Sequence, residues 1–258
     1  MVAMLLPMRP TSEDEETKTA REPFWELEMR LSAVLSTLAG FIGAAAYTHS
    51  DGYFVTFMTG NTERAVLGGF NSDWALAIGA ATIILCFLMG VFVASLCRRY
   101  LWRNHPHGAT VLTTIALIFA AITDHILAER GIGLAPILFV AFGMGSINTS
   151  FVKNGEVSIP VSYVTGTLVK FAQGVERHLA GGGNVRDWAG YAVQYGSFAL
   201  GALIGGLISL VVEGRFMLDT AVVASSLVAG YTWRADPDWA CEHPDCLPAP
   251  KHLPGTRH

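Results

Sequence analysis

Hydrophobic positions in this chain come in long unbroken runs, not in a period of two or 3.6 residues. Six runs stand out: Leu31–Thr48, Trp74–Leu96, Ala109–Leu127, Gly131–Val152, Trp188–Val212 and Phe216–Trp233. A helix crosses a hydrocarbon core about 30 Å thick in roughly 20 residues, so each run has about the length of a span. Only Asp124, His125 and Asp219 interrupt the runs, all near their ends. The runs are apolar on every face, whereas strands of a membrane barrel alternate. Glycine is frequent inside them, which suits close helix packing in lipid. The pattern predicts an all-α polytopic membrane protein with six transmembrane helices.

Composition agrees. Hydrophobic residues make up 52% of the chain and charged residues 15%, with a mean hydropathy of +0.42; a soluble domain carries about 25% charged residues. Lys and Arg collect on the cytoplasmic side of short loops. A chain starting inside places 14 of its 17 basic residues there, leaving only Arg64, Arg130 and Arg215 outside. An eight-span alternative, in which Tyr53–Phe70 and Val161–His178 also cross, divides the charges less sharply and leaves Arg64 and Lys170 within the membrane. Six spans and two cytoplasmic termini are expected, in the inner (plasma) membrane.

Residues 1–25, with the acidic Glu13–Glu16 patch, and the proline-rich residues 234–258 are expected to be disordered cytoplasmic tails. The helical part divides into residues 26–130 and 131–233. Cys86 and Cys97 share one run and Cys241 and Cys246 lie in the tail, which is no disulfide framework. Cys241-x-His243-x-x-Cys246 with His252 holds possible zinc ligands, but the spacing matches no standard finger. An unstructured tail without metal is expected.

The two halves resemble each other. Gly40-Phe41-Ile42-Gly43 aligns with Gly145-Ser146-Ile147-Asn148, and Phe57-Met58-Thr59-Gly60-Asn61-Thr62 with Tyr163-Val164-Thr165-Gly166-Thr167-Leu168. Asp73-Trp74-Ala75 recurs as Asp187-Trp188-Ala189, and Phe87-Leu88-Met89-Gly90 as Phe198-Ala199-Leu200-Gly201. Matches in the same order predict a duplicated three-span unit. An odd number of crossings turns the second copy upside down, and inverted repeats broken at matching positions point to a transporter-type site.

At these residues, and with Tyr47 and Pro160, the chain resembles the YoaK-like family of six-span bacterial membrane proteins, a family of unknown function. The resemblance covers about residues 31–233 and implies the topology, without a substrate. At Gly43 the chain departs from the pattern, which usually has an aspartate there.

The Thr-Gly segments are read as helix breaks, where glycine supplies conformational freedom and Thr or Asn caps the next helix. A helix N-terminus inside the membrane suits an anion. The candidate substrate-binding residues are therefore Thr59, Gly60, Asn61 and Arg64, their counterparts Thr165, Gly166, Thr167 and Lys170, and Asn148. The plainer alternative makes the Thr-Gly segments tight turns and the two cations orientation charges. Asp124-His125 either functions within the membrane or reaches interfacial water. Asn148, Thr149 and Gln194 suit helix-to-helix hydrogen bonds, and Gly90-x-x-x-Ala94 and Gly201-x-x-x-Gly205 suit close packing.

No Gly-x-Ser-x-Gly, Walker loop, dinucleotide fingerprint or His-Glu-x-x-His occurs. No enzyme activity, cofactor, metal or nucleic-acid partner is expected. The expected function is a small-solute transporter or channel-like permease with its site between the halves. Its partners are the lipid bilayer, a small solute with an anionic group and a second copy in a homodimer. The alternative is a membrane scaffold that does not transport, with an intramembrane enzyme third.

Overall fold

The computed structural model describes residues 22–50, 52–102, 107–127, 132–153, 156–157, 159, 161–212 and 214–242. Among these it has helices α1 (Glu22–His49), α2 (Met58–Phe70), α3 (Trp74–Tyr100), α4 (His107–Leu127) and α5 (Leu134–Ile147). A hairpin follows, β1 (Val152–Lys153) with β2 (Glu156–Val157), and then α6 (Val164–Leu179), α7 (Arg186–Ser209) and α8 (Gly214–Glu242). Among the described residues, four helical segments are long and apolar enough to cross a membrane: Met29–His49, Trp74–Tyr100, His107–Leu127 and Arg186–Ser209.

Local chemistry explains several boundaries. α1 is already helical at Glu22, well ahead of the expected span at Leu31. α3 starts at the expected Trp74 because the Asp73 carboxylate accepts the Leu76 N–H at 3.1 Å. α7 starts at Arg186, and Asp187 reaches back to accept the Asn184 N–H at 2.8 Å.

Two expectations are corrected. The run Gly131–Val152 contains a helix of only 14 residues, about 21 Å at 1.5 Å per residue. It stops because Asn148, Thr149 and Ser150 return their side chains to the carbonyls of Met144, Ser146 and Ile147 at 2.7, 2.8 and 2.7 Å, competing with helix continuation. The irregular backbone that follows is covered by protein, with Thr149 2%, Ser150 0% and Phe151 0% exposed. The expected tail from residue 234 is corrected too, since α8 continues to Glu242. Its proline, Pro237, forfeits one donor without ending the helix. Residues 1–21 and 243–258 lie outside the described residues, and with them His243, Cys246 and His252.

α5 is the centre of the packing. Ile137, Val140, Ala141, Met144 and Ile147 are each 0% exposed, and α5 lies between α3 and α4. α1 lies along α7, α8 packs chiefly on α4, and the short helices α2 and α6 lie on α3 and α7. Glycines make the two long crossings possible. A Cβ at Gly40 would collide with the Phe198 carbonyl, and one at Gly201 with that of Thr37. In the same way Gly90 meets the Phe142 carbonyl and Gly145 that of Phe87. The small-residue motifs on α3 and α7 thus lie at helix crossings, where backbones approach without side chains between them.

Chain directions follow from the partners. Thr37 meets Gly201 and Phe41 meets Gly205, so α1 and α7 run parallel. α3 and α5 also run parallel: the stretch Phe87 to Gly90 meets the stretch Phe142 to Gly145, and farther along both chains Arg98 reaches Ser150. α4 and α8 are antiparallel, joined by Thr110 to Thr232 at 2.8 Å, Thr114 to Ser225 at 2.7 Å and His125 to Asp219 at 3.2 Å.

Candidate functional site

α2 and α6 begin at matching positions, immediately after Phe57 and Tyr163. Neither start has a side-chain cap. The Thr-Gly pairs are therefore not the breaks or caps that their composition suggested. Thr59-Gly60 and Thr165-Gly166 lie in the first helical turn, and the breaks are the loops before them. The glycines serve another purpose. The Phe57 ring lies where a Cβ of Gly60 would be, and the Tyr163 ring lies where one of Gly166 would be. In each half an aromatic ring folds back onto the glycine three residues later.

Thr59 and Thr165 are both exposed, while Asn61 and Thr167 are both buried. The Asn61 amide donates to the Phe54 carbonyl at 2.5 Å, and its oxygen accepts the Phe54 N–H at 3.4 Å. Asn61 thereby fastens the preceding loop to α2. Thr167 bonds within its own helix, donating to the Tyr163 carbonyl at 3.0 Å. Asn148 fastens the other loop: its oxygen accepts from the Ser162 N–H at 3.0 Å and its amide lies 2.9 Å from the Ser162 hydroxyl.

The two cations are placed differently. Arg64 is half-buried, donates to the Gly52 carbonyl and lies over the Phe54 ring at 5.1 Å. Lys170 is exposed and lies 5.6 Å from the centre of the Tyr191 ring. Each therefore sits with its own half. Gly68 and Gly174 extend the likeness, admitting α2 onto α3 at Asp73 and Ala77 and α6 onto α7 at Trp188.

Three features were not singled out by sequence. Arg98 looks like one of two adjacent flanking charges beside Arg99, yet it is only 8% exposed and donates to the Ser150 carbonyl at 2.8 Å. A cation at the C-terminal end of α5 also complements that helix's dipole. Ser162, one residue before the Tyr163 that aligns with Phe57, is the partner of Asn148. Asp219 pairs with His125 across α4 and α8, with side chains 42% and 47% exposed; the isolated acid in the last apolar run was the available signal. Asp124, its neighbour in sequence, is 2% exposed. Among the described residues no group of three His, Cys, Asp or Glu could hold a metal ion.

Comparison with known proteins gives a family without an assigned activity. A family profile described as "Protein of unknown function (DUF1275)" matches residues 31–231. The UPF0700 transmembrane protein RA0705 of Rhizobium meliloti (strain 1021) is 28% identical over 186 residues, covering 70% of this chain and 75% of that protein. No solved structure matches.

Proposed function

The chain belongs to the DUF1275 family, and from that premise we propose that this multi-pass membrane protein is a small-solute permease with its site between two inverted halves. The observation that carries this reading is the matched pair of short helices. α2 and α6 begin at equivalent residues, lack side-chain caps and follow loops that hold buried residues, Tyr53 and Val55 in one and Val161 in the other. Discontinuous helices at matching places in two halves are how many secondary transporters build a binding site.

Helix directions support six crossings. If α2 and α6 return to the side from which they came, α1 and α7 run the same way across the membrane and α4 and α8 run oppositely. The glycine contacts and hydroxyl pairs described above have those directions. If both short helices crossed, α4 and α8 would be parallel. If only one crossed, α1 and α7 would be antiparallel. The packing of α1 on α7 and of α3 on α5 supports the duplicated unit, because each exchanges one helix for its counterpart. The six-span topology also agrees with the likeness to the YoaK-like proteins, and it retains both termini in the cytoplasm.

In this reading the solute has an anionic group that meets the first turns of α2 and α6, with Thr59 and Thr165 presented there and Arg64 and Lys170 supplying charge. Six crossings enclose little volume alone, so the reading includes a homodimer, and a strictly monomeric mass in mild detergent would remove that part. The main test is flux of small anions into liposomes. Arg64→Gln and Lys170→Gln should each lower it at least tenfold while the protein still inserts and purifies normally. Wild-type flux in both variants would defeat the anion site.

A scaffold is the second reading. Its support is that Asn61, Asn148 and Arg64 already bond to groups of the protein itself. Flux that no empty-liposome control shows would rule against it.

A further inference from the structure

The second half leaves an opening beside α8. α4 packs closely on α5, with the Thr113 hydroxyl donating to the Gly143 carbonyl at 2.9 Å. The corresponding helix α8 stands off from α1 and touches α7 little. Between them lies a groove of about 550 Å³ whose floor is α1 at Thr37, Leu38 and Phe41. Its α8 wall runs from Phe216 to Val228, about 18 Å at 1.5 Å per residue. One leaflet's share of the hydrocarbon core is about 15 Å. The groove is therefore about as deep as one leaflet and almost wholly apolar.

Besides Thr37 and Thr220, its polar lining residue is Asp219, near the end where α8 begins. There the carboxylate faces the His125 imidazole, 3.2 Å away, and both side chains remain half-exposed. α1 ends, α7 ends and α8 begins towards that same end, as a groove opening at one membrane surface requires. The arrangement is amphiphilic: an apolar slot lined towards one end by an acid whose partner imidazole lies on α4.

We propose that this groove holds one acyl chain of a zwitterionic, amine-headed phospholipid. The ammonium group pairs with Asp219, and the phosphate lies beside His125. The apolar walls match the chain, and their depth matches a lipid of one leaflet. A carboxylate beside an imidazole complements a headgroup that has a donor cation and an acceptor anion side by side. Exposed apolar side chains elsewhere, such as Leu85 and Phe92 on α3, should show no preference between phosphatidylethanolamine and phosphatidylglycerol. The site is independent of the permease reading, since its test measures bound lipid and not flux.

Native mass spectrometry of the full chain in mild detergent tests it, with phosphatidylethanolamine and phosphatidylglycerol added in turn. The wild type should retain one phosphatidylethanolamine at least tenfold more tightly than phosphatidylglycerol. Asp219→Asn should reduce that preference at least fivefold while leaving the protein folded. Val223→Trp, at an exposed position on the groove wall, should abolish retention by filling the slot. Equal retention of the two lipids, or a preference unchanged in Asp219→Asn, would overturn the proposal. So would a dimer that Val223→Trp dissociates, which would assign the groove to a second copy of the chain.

Discussion

The two halves fasten their short helices with one asparagine each, but from opposite sides. In the first half Asn61, on α2, reaches back to the loop before it. In the second, Asn148, at the end of α5, reaches forward to the loop before α6. The counterpart of Asn61 is Thr167, which bonds within its own helix, and the counterpart of Asn148 is Gly43, which lies against Thr56. A related difference sets the helix lengths. After Gly43 come Ala44, Ala45 and Ala46, and α1 continues to His49. After Ile147 come Asn148, Thr149 and Ser150, and α5 stops. Alanine favours the helix, whereas short polar side chains offer the backbone other partners. The loops in front of the two short helices are thus closed in two different ways.

The crossings shared by both halves should be the most sensitive points. Gly90→Val and Gly201→Val each place side-chain atoms against a backbone carbonyl that cannot move aside. Each should cost about 3 kcal/mol by overpacking, measured by denaturation in detergent. A large effect in only one half would break the equivalence of the two crossings.

Arg98 has the next largest expected effect, and it separates the halves. Arg98→Met removes a charged donor from the Ser150 carbonyl at the buried end of α5, for a loss of about 2 kcal/mol. At the corresponding place in the second half is Ser209, whose hydroxyl bonds to the Gly205 carbonyl of its own helix. Ser209→Ala should change stability by less than about 0.5 kcal/mol. Equal losses in the two variants would show that Arg98 matters only as a helix-end residue.

The asparagines have a smaller expected effect than Arg98 and are the sharpest probe. Asn61→Ala and Asn148→Ala should each cost about 1.5 kcal/mol, because each leaves a loop N–H without its acceptor. Faster amide exchange should be confined to Phe54 in the first variant and Ser162 in the second. Thr167→Val, which breaks only a bond within its own helix, should leave exchange in the Ser162 loop unchanged. If it does not, the two halves are fastened alike after all.

The membrane class, the helical character and most long-helix positions were legible in the sequence, down to the start of α3 at Trp74. These depend on runs of apolar residues and on caps a few residues away, so the chemistry needed is local. The matching starts of α2 and α6 were legible too, through Phe57-Met58-Thr59-Gly60 and Tyr163-Val164-Thr165-Gly166. The role of those glycines was not, because what lies against a missing Cβ is known only once the ring has folded back onto it. Asn61 and Asn148 were visible as polar residues near helix ends, but their partners at Phe54 and Ser162 depend on the path of a loop. Arg98 and Arg99 are alike as neighbours in the chain. Only the packing of α5 against α3 brings the Ser150 carbonyl within reach of Arg98 and buries that cation. The groove beside α8 depends on how far that helix stands from α1, a distance between residues about 180 apart in the chain that hydropathy, being a property of single residues and their near neighbours, does not encode.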